Sequence, residues 1–290
     1  MRIPDWDVLA RILIHVRQSI TLSVTIDSVH IVPWRVEHSQ SLAQAIHGHP
    51  TITCFEINNQ LPYEALDALY SALATLPNLA SVGFSYCGYY TRMEDESALA
   101  HHESLTELLR LPSLRSVCFA SFFFTRALCQ ATANALMEGT AVTKLKFVNC
   151  EFRAFEFSVG ECAAIMASGL SKNTSVISIE VVVPLDEALN CALAMALPSN
   201  STLRELSLEV DDDGNAYIDW SPIFSALGKN SGPKSLTLDG LDSMEESLCT
   251  AMQTGLTLNK TLESLKLHNI HLRDIEFAFW CRAFSFPTQL

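Results

Sequence analysis

Between Asp211 and Asp219 the chain spaces oxygen donors as a hard-cation loop would: Asp211, Asp213, Asn215 and Asp219 hold the first, third, fifth and ninth positions. Carboxylates and amides at that spacing can converge on calcium. Two positions break the pattern. Ala216 stands where the loop needs a glycine for its sharp turn, and Pro222 stands where a bidentate glutamate would close the site. A strand-like segment precedes the loop where a helix would be required, so these residues read as a polar loop and no metal is expected. His47 with His49, and His101-His102 with Glu103, supply further ligand types, but neither group shows helical i, i+4 spacing with a third ligand nearby. His47 and His49 fall at a helix exit, where an imidazole suits the negative end of the helix dipole. A nucleophile elbow, a phosphate-binding glycine loop and a zinc-protease motif are absent from the sequence. The expectation is a protein without catalytic residues and without a cofactor.

A repeated fragment gives these residues their frame: an apolar residue, two free positions, an apolar residue, one free position, an apolar residue. It occurs as Ile52-Phe55-Ile57, Leu79-Val82-Phe84, Leu114-Val117-Phe119, Val142-Leu145-Phe147, Val176-Ile179-Val181, Leu203-Leu206-Leu208 and Leu262-Leu265-Leu267. Pro233-Leu236-Leu238 is a degenerate copy. Successive starts lie 27, 35, 28, 34, 27, 30 and 29 residues apart. A period near 28 with this pattern predicts one short strand and one helix per unit.

Between the fragments the apolar period changes from 2 to about 3.6. Tyr63 to Leu76 places Leu66, Leu69, Tyr70, Leu73 and Leu76 on one helical face. The same logic predicts helices over 98–111, 128–137, 163–170, 185–197 and 244–256, with a weaker copy over 41–46. Asp5 to Val16 is read as a helix capping a first strand at Leu22 to Ile26, because a terminal repeat must cover its open core. This divides the chain into an N-terminal capping helix over 1–20 and a single array over 21–290. Asn173, Asn200, Asn230 and Asn259 each precede the next strand motif by three residues. Their shared phase predicts left-handed helix ends, a conformation asparagine tolerates. Three of them also read as Asn-x-Ser/Thr, and the common phase favours the turn role over glycosylation. The predicted fold class is α/β: a solenoid of about nine repeats, bent into a horseshoe segment, with parallel strands on the concave face and helices on the convex face.

In such a strand the apolar residues enter the core and the free positions face the groove. Arg115, Lys144 and Lys146 then make the middle of the groove basic, and Glu180, Glu205, Glu209 and Asp239 make the following repeats acidic. Lys146 and Glu180 hold equivalent places in consecutive strands, about 5 Å apart, and can neutralise each other. Ser81, Gly83, Ser116, Ser178, Ser207, Ser235 and Ser264 keep the floor small and polar. Tyr86 and Tyr90 follow the third strand, ahead of the acidic run 94–96, and resemble the aromatic hot spots of interfaces. Tyr89 matches Phe124 and Phe152 as an inward loop residue. These residues form the expected partner-binding surface.

The period, the helical returns and the Cys or Asn three residues after the last strand apolar (Cys87, Cys150) resemble ribonuclease-inhibitor-type leucine-rich repeats. That repeat type is shared by Ran GTPase-activating proteins and innate immune receptors. The resemblance covers about residues 20 to 285. It implies the fold and a protein partner, and it implies that Cys87 and Cys150 turn inward to bond loop backbone. No catalytic residue carries over from the GTPase activators, because their local motif is not matched. Ile3-Pro4-Asp5 with Leu9, Ile12, Leu13 and Val16 resembles the opening helix of an F-box. The two resemblances imply, as the alternative to a plain interaction module, a regulator of an enzyme: a GTPase activator or an F-box-type ubiquitin-ligase adaptor. Asp211 to Asp219 resembles the first nine positions of an EF-hand loop, with the departures noted above.

A formal net charge of -13 excludes a duplex nucleic-acid footprint and docking on anionic membrane. Apolar residues make up 49% of the chain against 18% charged, enough for one continuous core. The nine cysteines include no Cys-x-x-Cys pair, and are expected to be buried, reduced and small-apolar in role. No run reaches the ~18 apolar residues of a membrane span, and the start, with Asp5 and Asp7, is unlike a signal peptide. An intracellular protein, cytoplasmic or nuclear, is expected. The helix predicted over 274–284 carries Phe277, Phe279, Trp280 and Phe284. Being apolar on every side, it either covers the final repeat, docks elsewhere, or marks a lost continuation of the array.

Overall fold

The computed structural model describes residues 12–13, 15–16, 18–25, 36–61, 63–87, 103–152, 159–182, 187–209, 219–240 and 246–269. In chain order these form β1 (Ile20–Thr25), α1 (Val36–Ile46), β2 (Ile52–Leu61), α2 (Tyr63–Leu73), β3 (Ser81–Cys87), α3 (Glu103–Leu109), β4 (Ser116–Ala120) and β5 (Phe123–Phe124). There follow α4 (Arg126–Glu138), β6 (Lys144–Val148), β7 (Glu151–Phe152), α5 (Val159–Lys172), β8 (Ser178–Val182) and α6 (Glu187–Ala196), which runs on into a 3-10 turn (Leu197–Ser199). The remaining elements are β9 (Glu205–Glu209), α7 (Ser221–Leu227), β10 (Ser235–Asp239), α8 (Glu246–Leu258) and β11 (Ser264–His268). Nine strands form one open parallel sheet in the order β1-β2-β3-β4-β6-β8-β9-β10-β11, while β5 and β7 pair separately. Strand follows strand in sequence order with a helix between most neighbours, the arrangement of a solenoid-like repeat. No helix among the described residues is long and apolar enough to cross a membrane.

Each of the eight repeated fragments places its last two apolar residues on a strand. From β3 to β11 register is held residue for residue, as in Val117↔Leu145, Leu145↔Ile179 and Ile179↔Leu206. A slip of one residue would turn every apolar side chain out of the core, which is why alternation fixes register so firmly. Burial alternates along β4, β8 and β10, with the second and fourth residues of each strand buried. One side of the sheet therefore packs under the helices and the other is open.

The core includes an aromatic column. Phe84, Phe119 and Phe147 occupy matched places on β3, β4 and β6, with ring centroids 6.2 Å and 6.0 Å apart and planes inclined by 24° and 19°. Phe122 and Phe124 lean on Phe119 at 5.0 Å and 5.1 Å, and Phe152 extends the cluster from Phe124 at 5.7 Å. Phe124 and Phe152 are the inward loop residues the pattern predicts. Tyr89, placed with them from sequence, lies outside the described residues.

Helices approach closely through glycine. A Cβ built on Gly169 of α5 would lie 2.6 Å from the Ala133 Cα of α4, and one on Gly255 of α8 would overlap the Phe224 carbonyl of α7. Only a residue without a side chain fits at either place.

The asparagines are a correction. Asn200 has φ -81 and ψ 118, and Asn173, Asn230 and Asn259 are not among the residues with positive φ. They do not end helices in the left-handed conformation; they build a ladder. Each Nδ2 donates to a carbonyl of the preceding repeat: Asn173 to Leu136 at 3.0 Å, Asn200 to Leu170 at 2.6 Å, Asn259 to Leu227 at 2.7 Å, and Asn230 to Leu197. Each Oδ1 accepts backbone N–H groups at the start of the next strand motif, as Asn200 does from Thr202 and Leu203 at 2.9 Å and 2.8 Å. Left-handed backbone falls one residue past the strands instead, at Ser121 (φ 46), Asn149 (φ 51), Gly240 (φ 75) and Asn269 (φ 48).

Helix α7 was not legible in the repeat pattern. Pro222 reads as a breaker, yet it sits in the first turn, where its missing N–H costs nothing. The Asp219 carboxylate accepts the Ser221 N–H at 2.9 Å and so serves the start of this helix.

Candidate functional site

The open face of the sheet is the surface on which the sequence places its charged residues, and strand register arranges its side chains in three rows. The middle row runs Glu56, Gly83, Cys118, Lys146, Glu180, Ser207, Thr237, Lys266 from β2 to β11. The row nearest the strand starts includes Cys54, Ser81, Ser116, Lys144, Ser178, Glu205, Ser235 and Ser264. The far row includes Asn58, Ser85, Ala120, Val148, Val182, Glu209, Asp239 and His268. Neighbours within a row are one strand spacing apart, about 4.8 Å.

Lys144, Lys146, Glu180, Glu205, Glu209 and Asp239 all lie on this face, on four consecutive strands. Lys146 Nζ donates to Glu180 Oε1 at 2.6 Å, the cross-strand pair expected from their equivalent positions. The hydrogen bond to Glu180 raises the Lys146 pKa, against a smaller opposing effect of burial. Lys144, Glu205 and Glu209 form no ion pair among the described residues. Glu209 and Asp239 are direct neighbours on β9 and β10, and the Asp239 carboxylate accepts from Asn269 Nδ2 at 2.9 Å. The face is thus positive at β6 and negative across β8, β9 and β10.

Arg115 is set apart from this group. It precedes β4, and its guanidinium donates to the Pro112 and Leu114 carbonyls at 2.7 Å and 3.1 Å. Arg204, the matching residue before β9, does the same with Ser201 at 2.9 Å and Gly232 at 3.0 Å. Both arginines tie together the turns that lead into the strands. Tyr86 belongs to β3, but its side chain lies outside the described residues, as does all of Tyr90.

Sequence reasoning left two kinds of residue out of the site. Glu56 and Lys266 belong to the middle row, and alternation within their strands was signal enough to find them. The cysteines need a sharper correction. Cys129, Cys150, Cys162 and Cys249 are buried, but Cys54 and Cys118 on the open face and Cys191 on α6 are partly exposed. Cys118 holds the free position between Val117 and Phe119, beside Lys146. Partial burial raises its pKa, and the nearby Lys146 charge works against that shift. Cys150 turns inward as the resemblance implies, donating to the Phe119 carbonyl at 3.2 Å. The Cys87 side chain lies outside the described residues.

The alternative metal and loop sites contribute little here. His49 is buried, with Nε2 2.8 Å from the Leu13 carbonyl and Nδ1 3.1 Å from Thr51 Oγ1. No group of three or more His, Cys, Asp or Glu among the described residues could hold a metal ion. Residues 211–218, His101 and His102, residues 3–9 of the F-box-like stretch and residues 274–284 lie outside the described residues. No family model matches the chain, and no curated protein matches it.

Proposed function

We propose that the chain is a ribonuclease-inhibitor-type leucine-rich repeat array that acts as a non-enzymatic interaction module. In this reading the open sheet face is the concave surface of a horseshoe of about nine units and binds a protein partner. The observation that carries the reading is the charge pattern of that face, where Lys144 is followed by the acids Glu205, Glu209 and Asp239 in strict strand register. Backbone hydrogen bonds hold these side chains on a preformed sheet, so little ordering cost attends binding. A partner with acidic groups opposite β6 and basic groups opposite β9 and β10 would find complementary potential across the whole face. Nucleic acid and anionic membrane fit the net charge poorly, and an intracellular setting suits the reduced cysteines.

The test is affinity purification from native cells with the intact chain and with Lys144→Glu/Lys146→Glu, followed by direct titration of any protein found. A protein that binds the intact chain and is lost from an equally stable variant supports the reading. Equal binding by both would remove the centre of the face as the contact surface. Faster GTP hydrolysis by a captured small GTPase, or capture of a ubiquitin-ligase core that depends on residues 1–20, would shift the assignment to an enzyme regulator.

A further inference from the structure

The helix ends and turns that lead into β8, β9, β10 and β11 reverse the charge balance of the chain. Residues 172–178, 199–205, 228–235 and 258–264 hold five basic residues, Lys172, Arg204, Lys229, Lys234 and Lys260, against two acids, Glu205 and Glu263. The chain as a whole holds 19 basic and 32 acidic residues. The four lysines are exposed and Arg204 is half-buried. Lys234 Nζ pairs with Glu263 Oε1 at 2.6 Å, and Glu205 sits on the open face. Lys172, Arg204, Lys229 and Lys260 form no ion pair among the described residues. This rim of the array is positive, beside a face that is negative across β8, β9 and β10.

Hydrogen bonds between repeats hold the four turns together. Asn230 Nδ2 donates to the Asn200 carbonyl at 3.0 Å, and Asn259 Nδ2 to the Asn230 carbonyl at 3.3 Å. Thr202 Oγ1 donates to the Asn173 carbonyl at 3.0 Å. Lys172 and Lys229 each precede one of these asparagines in sequence, and Lys260 follows another. The Arg204 guanidinium spans two turns through the Ser201 and Gly232 carbonyls. The charges therefore stand on a preformed frame. A cation near a helix C-terminus suits the dipole, but the helix ends of this chain do not require one. The turns after α1 and α2, residues 47–54 and 74–81, contain no lysine or arginine.

We propose that this rim is a second docking surface and that its occupant is an acidic segment of a protein partner. Lys172, Lys229 and Lys260 each offer an ammonium group to an Asp or Glu carboxylate of that segment, and Arg204, anchored on turn carbonyls, adds fixed positive charge among them. From the β8 turn to the β11 turn is three strand spacings, about 14 Å, the reach of about four extended residues. A short run of carboxylates matches that length. A nucleic-acid backbone matches it poorly, because it runs on past the rim along a chain of net charge -13. The inference rests on residues at the strand starts, and stands whether or not the open face binds a partner.

Fluorescence anisotropy with a labelled glutamate-rich peptide, long enough at about ten residues to span the rim, tests it on the full chain. The controls are a glutamine-rich peptide of the same length and a single-stranded RNA of the same charge. The proteins compared are the intact chain, Lys172→Glu/Lys229→Glu/Lys260→Glu, the milder Lys229→Gln/Lys260→Gln, and Lys144→Glu/Lys146→Glu on the open face. The glutamate peptide should bind the intact chain saturably and more weakly as salt rises, and the glutamine peptide should not bind. The triple variant should lose about tenfold or more in affinity, the milder variant less, and the open-face variant no more than about twofold. The milder variant decides the matter if the triple variant melts early. Absence of saturable glutamate-peptide binding would overturn the proposal, as would equal binding by the intact chain and the rim variants. So would an equal loss in the open-face variant, which would place the peptide on the face, or tighter binding of the RNA than of the peptide.

Discussion

The Asn200 side-chain amide reaches the Leu170 carbonyl of the preceding repeat, 2.6 Å away, and makes one rung of a ladder running along the helix ends. The same side chain accepts from the Thr202 and Leu203 amides, while the Leu170 carbonyl also accepts from the Asn173 N–H. Truncation takes the partner from the two amides, at roughly 1–3 kcal/mol each before relaxation. Asn200→Ala should therefore lower stability by about 2–4 kcal/mol, read from the urea midpoint at constant m value. A loss below about 0.5 kcal/mol would show that the ladder is not a stabilising element.

Asn190 presents the opposite case. It is 2% exposed on α6, and neither Oδ1 nor Nδ2 has a hydrogen-bond partner among the described residues. It stands ten residues before Asn200, the place that Ala163, Trp220 and Cys249 hold before Asn173, Asn230 and Asn259, and all three are buried. Asn190→Leu removes an unpaired amide from an apolar site and should raise stability by about 1–2 kcal/mol. A destabilised variant would mean that the amide pairs in solution.

At Gly169 the usual effect of alanine is reversed. In an exposed helix interior Gly→Ala gains up to about 1 kcal/mol, but here the new methyl group would lie 2.6 Å from the Ala133 Cα. Helices α4 and α5 must move apart, and Gly169→Ala should cost about 1–3 kcal/mol. Thermal melts of Gly169→Ala beside Gly48→Ala, where nothing lies within 4 Å but φ is +65, separate steric clash from backbone strain. A Gly169→Ala protein that melts higher than the parent would show that these helices are not in close contact.

The strands were legible because the repeat writes the same constraint many times. Val117 and Phe119 must enter the core, so the residues between and beside them must face out, and register follows. The Lys146–Glu180 pair was readable for that reason. Arg115 was not, because it stands one residue before its strand, where alternation no longer says which way a long side chain turns. The asparagine ladder was visible as a phase but not as a geometry: phase shows that the four residues share a role, and asparagine serves equally well as a left-handed residue or a buried bridge. Helix α7 escaped because seven residues carry too few turns for a 3.6-residue period to show.

Lys146 and Glu180 illustrate how little a well-formed pair can contribute. Their side chains are 41% and 38% exposed, so water and salt screen the attraction, and pairs of this kind are worth ~0–1 kcal/mol. A double-mutant cycle with Lys146→Met and Glu180→Gln should return a coupling in that range, smaller still in 1 M salt. The raised Lys146 pKa sets the sign with pH. Whatever the pair contributes is fully present below the ordinary lysine pKa and is lost as pH rises through the raised one. A coupling well above 2 kcal/mol, or one indifferent to strong alkali, would contradict this account.

Cys150 gives the alkaline limb a structural origin. Burial pushes its pKa from an ordinary value of 9.0 up to about 12, against the opposing effect of backbone hydrogen bonds. The folded chain therefore keeps the thiol proton between pH 9 and pH 12, where the unfolded chain has released it. Fewer protons on the unfolded state mean that stability falls as pH rises through that window. Cys150→Ala should make the alkaline loss of stability shallower, apart from the cost of the lost Sγ contact to the Phe119 carbonyl. Alkylation gives a second measure, because the thiolate is the reacting form. With iodoacetamide at pH 8, Cys150 should stay unmodified in the native protein and react once the chain is unfolded in urea. Labelling of native Cys150 at the unfolded rate would show that the thiol is not held in the core.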